Sequence, residues 1–292
     1  MPTRREPTAF RFSFAACSWL AFVALNMAVS RPACADDKKA APQLKGAAAA
    51  DLIRIRREVD ALETLYHLEP TEAQLSGLLT LAAKTAAKPA SPMEARAGPA
   101  YRKTLQDLRD ALIRNDEAQV AALSQKLAEI DENEEVEIDE GFDLTDAALK
   151  AAPAALKLFT AAQVISYLAA MENEVPDPVE RILLTLNEGA DLPANDWKSL
   201  RDETAEEAAW LIHGFNSEAM KGTVKAITEL LERGHRLKNS ELEKEIDELE
   251  RAARKLAGNI GPAVVLQHYL ERELAEFLSN PQAVTALKAR KK

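Results

Sequence analysis

From Asp51 onward, apolar residues recur at three- and four-residue steps, and no run of alternating β-branched residues is long enough to suggest a strand. Leu52, Ile55, Val59, Leu62 and Leu65 set the pattern, sharing one face of a helix predicted over 51–66. Leu75, Leu78, Leu79 and Ala82 continue it behind Thr71. Tyr101, Leu105, Leu108 and Leu112 mark a third helix, and Val120, Leu123, Leu127 and Ile130 a fourth. Asn115-Asp116 between them is the turn of a helical hairpin. Ala, Leu, Glu and Lys abound and aromatics make up only 5% of the chain, a helix-forming choice of residues. The fold class expected is all-α, a multi-helix bundle of helical hairpins.

Punctuation sets the remaining boundaries. Helices are expected over 145–158 and 160–174, with a further one behind Pro176-Asp177-Pro178, where Asp177 is the cap. Asp191-Leu192-Pro193 leads into a helix over 197–212, and another covers 220–236 with Gly234 placed as its C-terminal cap. Ser91 with Glu94 and Ser240 with Glu243 have capping-box spacing. Gly258 and Gly261-Pro262 separate the helix of Leu242, Ile246 and Leu249 from one over 264–278, and Asn280-Pro281 caps a last short helix. The organisation expected is a signal peptide over 1–35, a flexible leader over 36–50, a helical hairpin region over 51–190 and a C-terminal helical bundle region over 191–292. The acidic stretch 129–143 reads as a loop or frayed helix end. Asp131, Asn133 and Glu135 alternate as calcium ligands do, but Val136 stands where that loop needs Gly.

The first 35 residues read as an address. Arg4 and Arg5 are followed by a nearly unbroken apolar run over 12–29, then Ala33-Cys34-Ala35, then Asp36-Asp37. Basic, apolar, small and polar in that order is a secretory signal peptide, with cleavage at Ala33 and Ala35; an uncleaved anchor is the competing reading. The destination expected is the periplasm or the cell exterior, with no membrane span after signal removal. Both cysteines, Cys17 and Cys34, fall in this segment, so the mature chain has no disulfide, thiolate metal site or Cys nucleophile. Removing the segment takes away four Arg and one Glu and leaves 257 of the 292 residues, with a formal charge near −13. That charge argues against nucleic acid and anionic membrane as partners.

Catalytic signatures are missing from the sequence. It has no Gly-x-x-x-x-Gly-Lys, Gly-x-Gly-x-x-Gly, Gly-x-Ser-x-Gly or His-Glu-x-x-His pattern. His67, His213, His235 and His268 are far apart, and Glu232 with His235 is one Glu-x-x-His unit where a di-iron bundle needs two. No cofactor, metal or catalytic residue is expected. Trp197 and Trp210 on one helix are expected in the core.

One internal echo stands out. Leu68-Glu69-Pro70-Thr71-Glu72-Ala73-Gln74-Leu75 and Lys157-Leu158-Phe159-Thr160-Ala161-Ala162-Gln163-Val164 both carry Thr-x-x-Gln ahead of an apolar helix face. Thr at the N-cap accepts from the third backbone N–H, and Gln there reaches back to the N-cap N–H. At these residues the chain resembles the Leu-Thr-x-x-Gln (Spy/CpxP-like) family of periplasmic helical proteins, although neither copy has Leu directly before Thr. The resemblance covers about residues 51–175. It implies helical hairpins, a concave cradle in place of a catalytic set, and fold-specifying roles for Thr71, Gln74, Thr160 and Gln163.

The function expected is therefore an exported, non-enzymatic helical binding protein, chaperone-like or an adaptor for envelope proteins, with proteins as partners. The alternative is a structural or oligomerising scaffold of the envelope, possible as a homo-oligomer, with Leu242, Ile246 and Leu249 as contacts. A third class is an enzyme whose site is assembled from carboxylates; two buried carboxylates facing one cleft would point to it.

Overall fold

The computed structural model describes residues 39–88, 94–138, 142, 144–170, 177–189, 192–237 and 239–291. The signal segment with Ala33 and Ala35, and the Ser91 half of one capping box, lie outside them. Among the described residues the chain is mostly helical, with twelve α-helices and a few short strands. The helices are α1 (Ala47–Leu68), α2 (Glu72–Thr85), α3 (Pro99–Arg114), α4 (Glu117–Asn133), α5 (Asp146–Leu156) and α6 (Ala161–Ala170). They continue with α7 (Pro178–Glu188), α8 (Ala194–His213), α9 (Ser217–His235), α10 (Asn239–Ala257), α11 (Pro262–Ser279) and α12 (Ala283–Arg290).

The strands are a departure from the helix-only expectation. β1 (Lys39–Ala40) pairs parallel with β4 (Glu134–Glu135). β2 (Gln43–Lys45), β3 (Glu94–Arg96) and β5 (Glu137–Ile138) form an antiparallel sheet in the order β2-β3-β5. Residues 39–50 are thus two strands and the first turn of α1, where a flexible leader was expected. The acidic stretch supplies the end of α4 and two strands. Leu44, Ala95 and Ile138 lie opposite one another in register and turn to the core, while Arg96 pairs with Glu137 at 3.9 Å. Strands of two or three residues carry no readable period, and only pairing across about 40–50 residues of sequence stabilises them. Glu94 belongs to β3, so α3 starts later than a Ser91 cap implies, with Pro99 in its first turn behind Gly98. Asp131 and Asn133 are helical residues of α4, not loop ligands.

The central element is α1. Its stripe was expected to face one way, yet burial runs around most of its circumference: Ile53, Arg56, Arg57 and Glu58 are buried with Leu52, Val59 and Leu62. The helix is wrapped by α3, α6, α12 and the small sheet. Its charges are accommodated by pairing. Glu58 lies 2.8 Å from Arg109 and 3.3 Å from Arg54, Arg56 lies 3.1 Å from Asp60, and the Arg57 guanidinium sits 5.6 Å from the Phe142 ring centroid.

Two large apolar cores follow. The first gathers α1 to α6 and then, from the other end of the chain, α11 and α12. The second is built from α7, α8, α9 and α10. The cores thus group helices in a way that a linear cut at 190 does not: α7 packs with the helices after it, and α11 and α12 return to α1. A small cluster of Trp210, Leu211 and Val265, joined by Phe215 and Tyr269, bridges the two.

In the second core, Trp197 stacks on His235 with ring centroids 4.1 Å apart, and Leu249 is fully buried. Leu242 packs half-buried against the same core, so neither residue forms an exposed seam. Gly234 lies inside α9 and does not cap it; Arg236 does. Its role is close approach, since a Cβ there would stand 2.5 Å from Leu186 Cδ2.

Candidate functional site

Two features stand out, and α6 joins them. The first is the meeting of the two Thr-x-x-Gln segments. Thr71 caps α2: its Oγ1 accepts from Gln74 N–H at 3.4 Å, and its own N–H donates to Gln74 Oε1 at 2.7 Å. Thr160 does the same ahead of α6, accepting from Gln163 N–H at 3.3 Å and donating to Gln163 Oε1 at 3.0 Å.

The boxes then dock on each other. Gln74 Nε2 donates to Gln163 Oε1 at 2.9 Å, and Gln163 Nε2 returns the bond to Gln74 Oε1 at 3.0 Å. Gln74 Nε2 also donates to Leu158 O at 2.7 Å, and Gln163 Nε2 to Glu69 O at 3.0 Å. Each amide thus serves its own helix start, its counterpart and the opposite chain segment. Glu69 makes this possible by ending α1 in the left-handed region, at φ 45°, which turns the chain at once into Pro70-Thr71. All four residues are engaged in structure, and the clamp offers no reacting group.

The second feature is a cleft of about 2060 Å³ between the two cores. One wall comes from α1, α4 and α5, the other from α8 and α11. Val120, Leu149, Trp210, Phe215, Met220 and Tyr269 give it apolar and aromatic surface. Around them stand eleven carboxylate residues against four Arg and Lys. Trp210 is buried in the core, as expected. It is 6% exposed, lies against the cleft, and has the Arg272 guanidinium 5.2 Å from its ring centroid.

The cleft perturbs its ionisable groups. Tyr167, on α6, donates to Glu273 Oε2 on α11 at 3.0 Å. Burial, with the negative charge of Glu276 behind it, raises the Glu273 carboxyl to about 7. Burial and Glu273 together push the Tyr167 hydroxyl well above its ordinary range. His67 lines the same cleft, and burial lowers it. His213, lowered by burial and then by His268, bonds Thr223 Oγ1 at 2.7 Å. His268 Nδ1 lies 2.8 Å from Leu211 O. Among the described residues, no three His, Cys, Asp or Glu side chains are grouped to hold a metal ion. Among the same residues, no single helix is long and apolar enough to cross a membrane.

The sequence contained the residues of this cleft but no sign of their convergence. Its walls are brought together by the return of α11 to α5 and α8, a contact spanning over a hundred residues. The basic residues Lys288 and Arg290 lie in the last turn of α12, where cations favour the helix dipole. Arg290 also donates to Leu112 O at 2.7 Å and Asn115 Oδ1 at 3.0 Å, tying α12 to the α3–α4 turn. No protein-family model, curated protein or solved structure matches this chain.

Proposed function

We propose that this chain is an exported, non-enzymatic helical protein that binds other polypeptides, as a chaperone-like or adaptor protein of the cell envelope. The observation that carries the reading is the cleft between the cores, with an aromatic and aliphatic floor inside a carboxylate rim. Concave apolar surface of this kind binds exposed apolar segments, because water released from both sides drives association. In this reading Thr71, Gln74, Thr160 and Gln163 specify the fold, since both copies of the repeat serve one clamp. The direct test is to dilute a chemically unfolded client into buffer with and without the purified protein. Suppressed light scattering at near-equal stoichiometry is the expected result. Unchanged aggregation, with a stable large assembly by sedimentation, moves the reading to an oligomerising scaffold. N-terminal sequencing of material from the envelope fraction tests export.

Glu271 and Glu273, which both line the cleft, favour a second reading as a carboxylate enzyme. Both are already engaged, however. Glu271 accepts from Gln267 at 2.8 Å along its own helix, and Glu273 is held by Tyr167. Those bonds fix helix positions, so binding remains the function we assign. Turnover of any substrate that is abolished by Glu273→Gln reverses this assignment.

A further inference from the structure

We infer that the cleft takes a cationic amphipathic helix, a segment with one apolar face and Lys or Arg along its flanks. This rests on the polypeptide-binding reading and adds the chemistry of the partner.

Charge is the first argument. Three of the cleft's four cations are already paired with carboxylates of the same surface. Arg56 lies 3.1 Å from Asp60, Arg181 3.0 Å from Glu207, and Arg272 2.8 Å from Glu276. Glu117, Asp146, Glu203 and Glu206, on three different helices, are left to set the sign of the potential. A low-dielectric wall behind them focuses that field into the cleft, and an anionic or neutral partner gains nothing from it.

Shape is the second argument. A helix about 10 Å across and rising about 1.5 Å per residue fills roughly 120 Å³ per residue, so 2060 Å³ matches about seventeen residues, or a longer segment half-embedded. The apolar floor is contributed from both walls, by Val120 and Leu149 on one side and Trp210 and Met220 on the other. A guest helix laid between them meets apolar side chains on two flanks of one face, the pattern of a helix seated in a groove. A fully apolar guest would leave the rim carboxylates facing grease; one with cations at its flanks satisfies them.

The test uses the whole protein and three synthetic eighteen-residue helical peptides. They share a Leu face and differ only in carrying Lys, Glu or Gln on the polar face. Calorimetry is expected to show binding of the Lys peptide, weakened about tenfold when salt rises from 0.05 to 0.5 M, with the Glu peptide at least about a hundredfold weaker. The double variant Glu203→Lys, Glu206→Lys changes two exposed side chains of α8. It is expected to keep the wild-type circular dichroism spectrum and to lose about tenfold for the Lys peptide. Equal affinity for all three peptides, or an unaltered Lys-peptide affinity in the double variant, overturns the inference. If no peptide binds but an unfolded client is still protected, this inference fails and the polypeptide-binding reading stands. If neither occurs, both fail. Self-association that blocks the Lys peptide puts a second copy in the cleft and also overturns the inference.

Discussion

The two cores solve the same packing problem by opposite means. The second, α7 to α10, is made by helices adjacent in sequence, and Ala205, Ala208, Ala209 and Ala253 let them approach closely around the Trp197–His235 stack. The first is closed by elements far apart. Asn280 Nδ2 donates to Arg57 O at 2.8 Å, Thr85 Oγ1 to Leu278 O at 2.8 Å, and Thr145 Oγ1 to Thr85 O at 2.7 Å. Add the paired Gln74 and Gln163, and the first core is a set of long loops pinned by buried or half-buried polar clamps. Local contacts cost little loop-closure entropy, whereas distant ones must be specified individually. Polar residues such as Asn280 and Gln163 do that specifying, because an amide with its carbonyl partner misplaced costs more than it contributes when matched.

Both tryptophans of the described chain sit on α8, outside the first core, so the regions can be read separately. Leu62→Ala, at a fully buried position of α1, is expected to cost about 3 kcal/mol. Circular dichroism should show the loss as an earlier transition that Trp fluorescence follows only in part. Coincident shifts would dissolve the distinction between the cores. In the second core, Gly189→Ala is expected to cost about 1–3 kcal/mol, because a Cβ there overlaps the Trp197 ring. The fluorescence transition should move first in that variant.

The Glu273 latch comes next. Its carboxyl is raised from the ordinary 4.5 to about 7, so the folded state holds a proton that the unfolded state releases. Its contribution is complete below pH 4.5 and is lost as pH rises toward 7. Glu273→Gln should flatten the stability profile across that window and be more stable than the parent at pH 8, by about 1–3 kcal/mol. Chemical denaturation at pH 5 and pH 8 checks the sign; a steeper fall in the variant contradicts it. The smallest effect expected is in the clamp. Gln74→Ala and Gln163→Ala should each cost about 1–2 kcal/mol. Their double-mutant cycle should give a coupling near 1 kcal/mol, where independent caps would give none.

Most of the helices could be read from spacing, because period and caps are local. Thr71 and Asp177 accept from a helix-start N–H, as expected, and Asp116 and Thr145 do the same ahead of α4 and α5. What could not be read was non-local. The β2-β3-β5 sheet uses segments too short to show a rhythm. The Arg56-Arg57-Glu58 triplet is charged yet buried, because Arg109 arrives from α3 to pair Glu58 while Asp60, one turn along α1, pairs Arg56. Gly234 looked like a stop signal because a small residue near a helix end has two uses, and only the position of Leu186 tells them apart. Of the candidate site, the Thr-x-x-Gln residues were visible and the cleft was not, since α11 joins its walls from far along the chain.

That α11 and α12 complete the first core bears on synthesis order. Ribosomes deliver α1 early, but its partner Asn280 and the helix α12 that packs on it emerge more than two hundred residues later. Until then the greasy, charge-bearing central rod has only part of its sheath, from α3, α6 and the small sheet, while the neighbourly helices of the middle segment can already condense among themselves. A nascent chain built this way postpones the closure of its first core until its last two helices have been made.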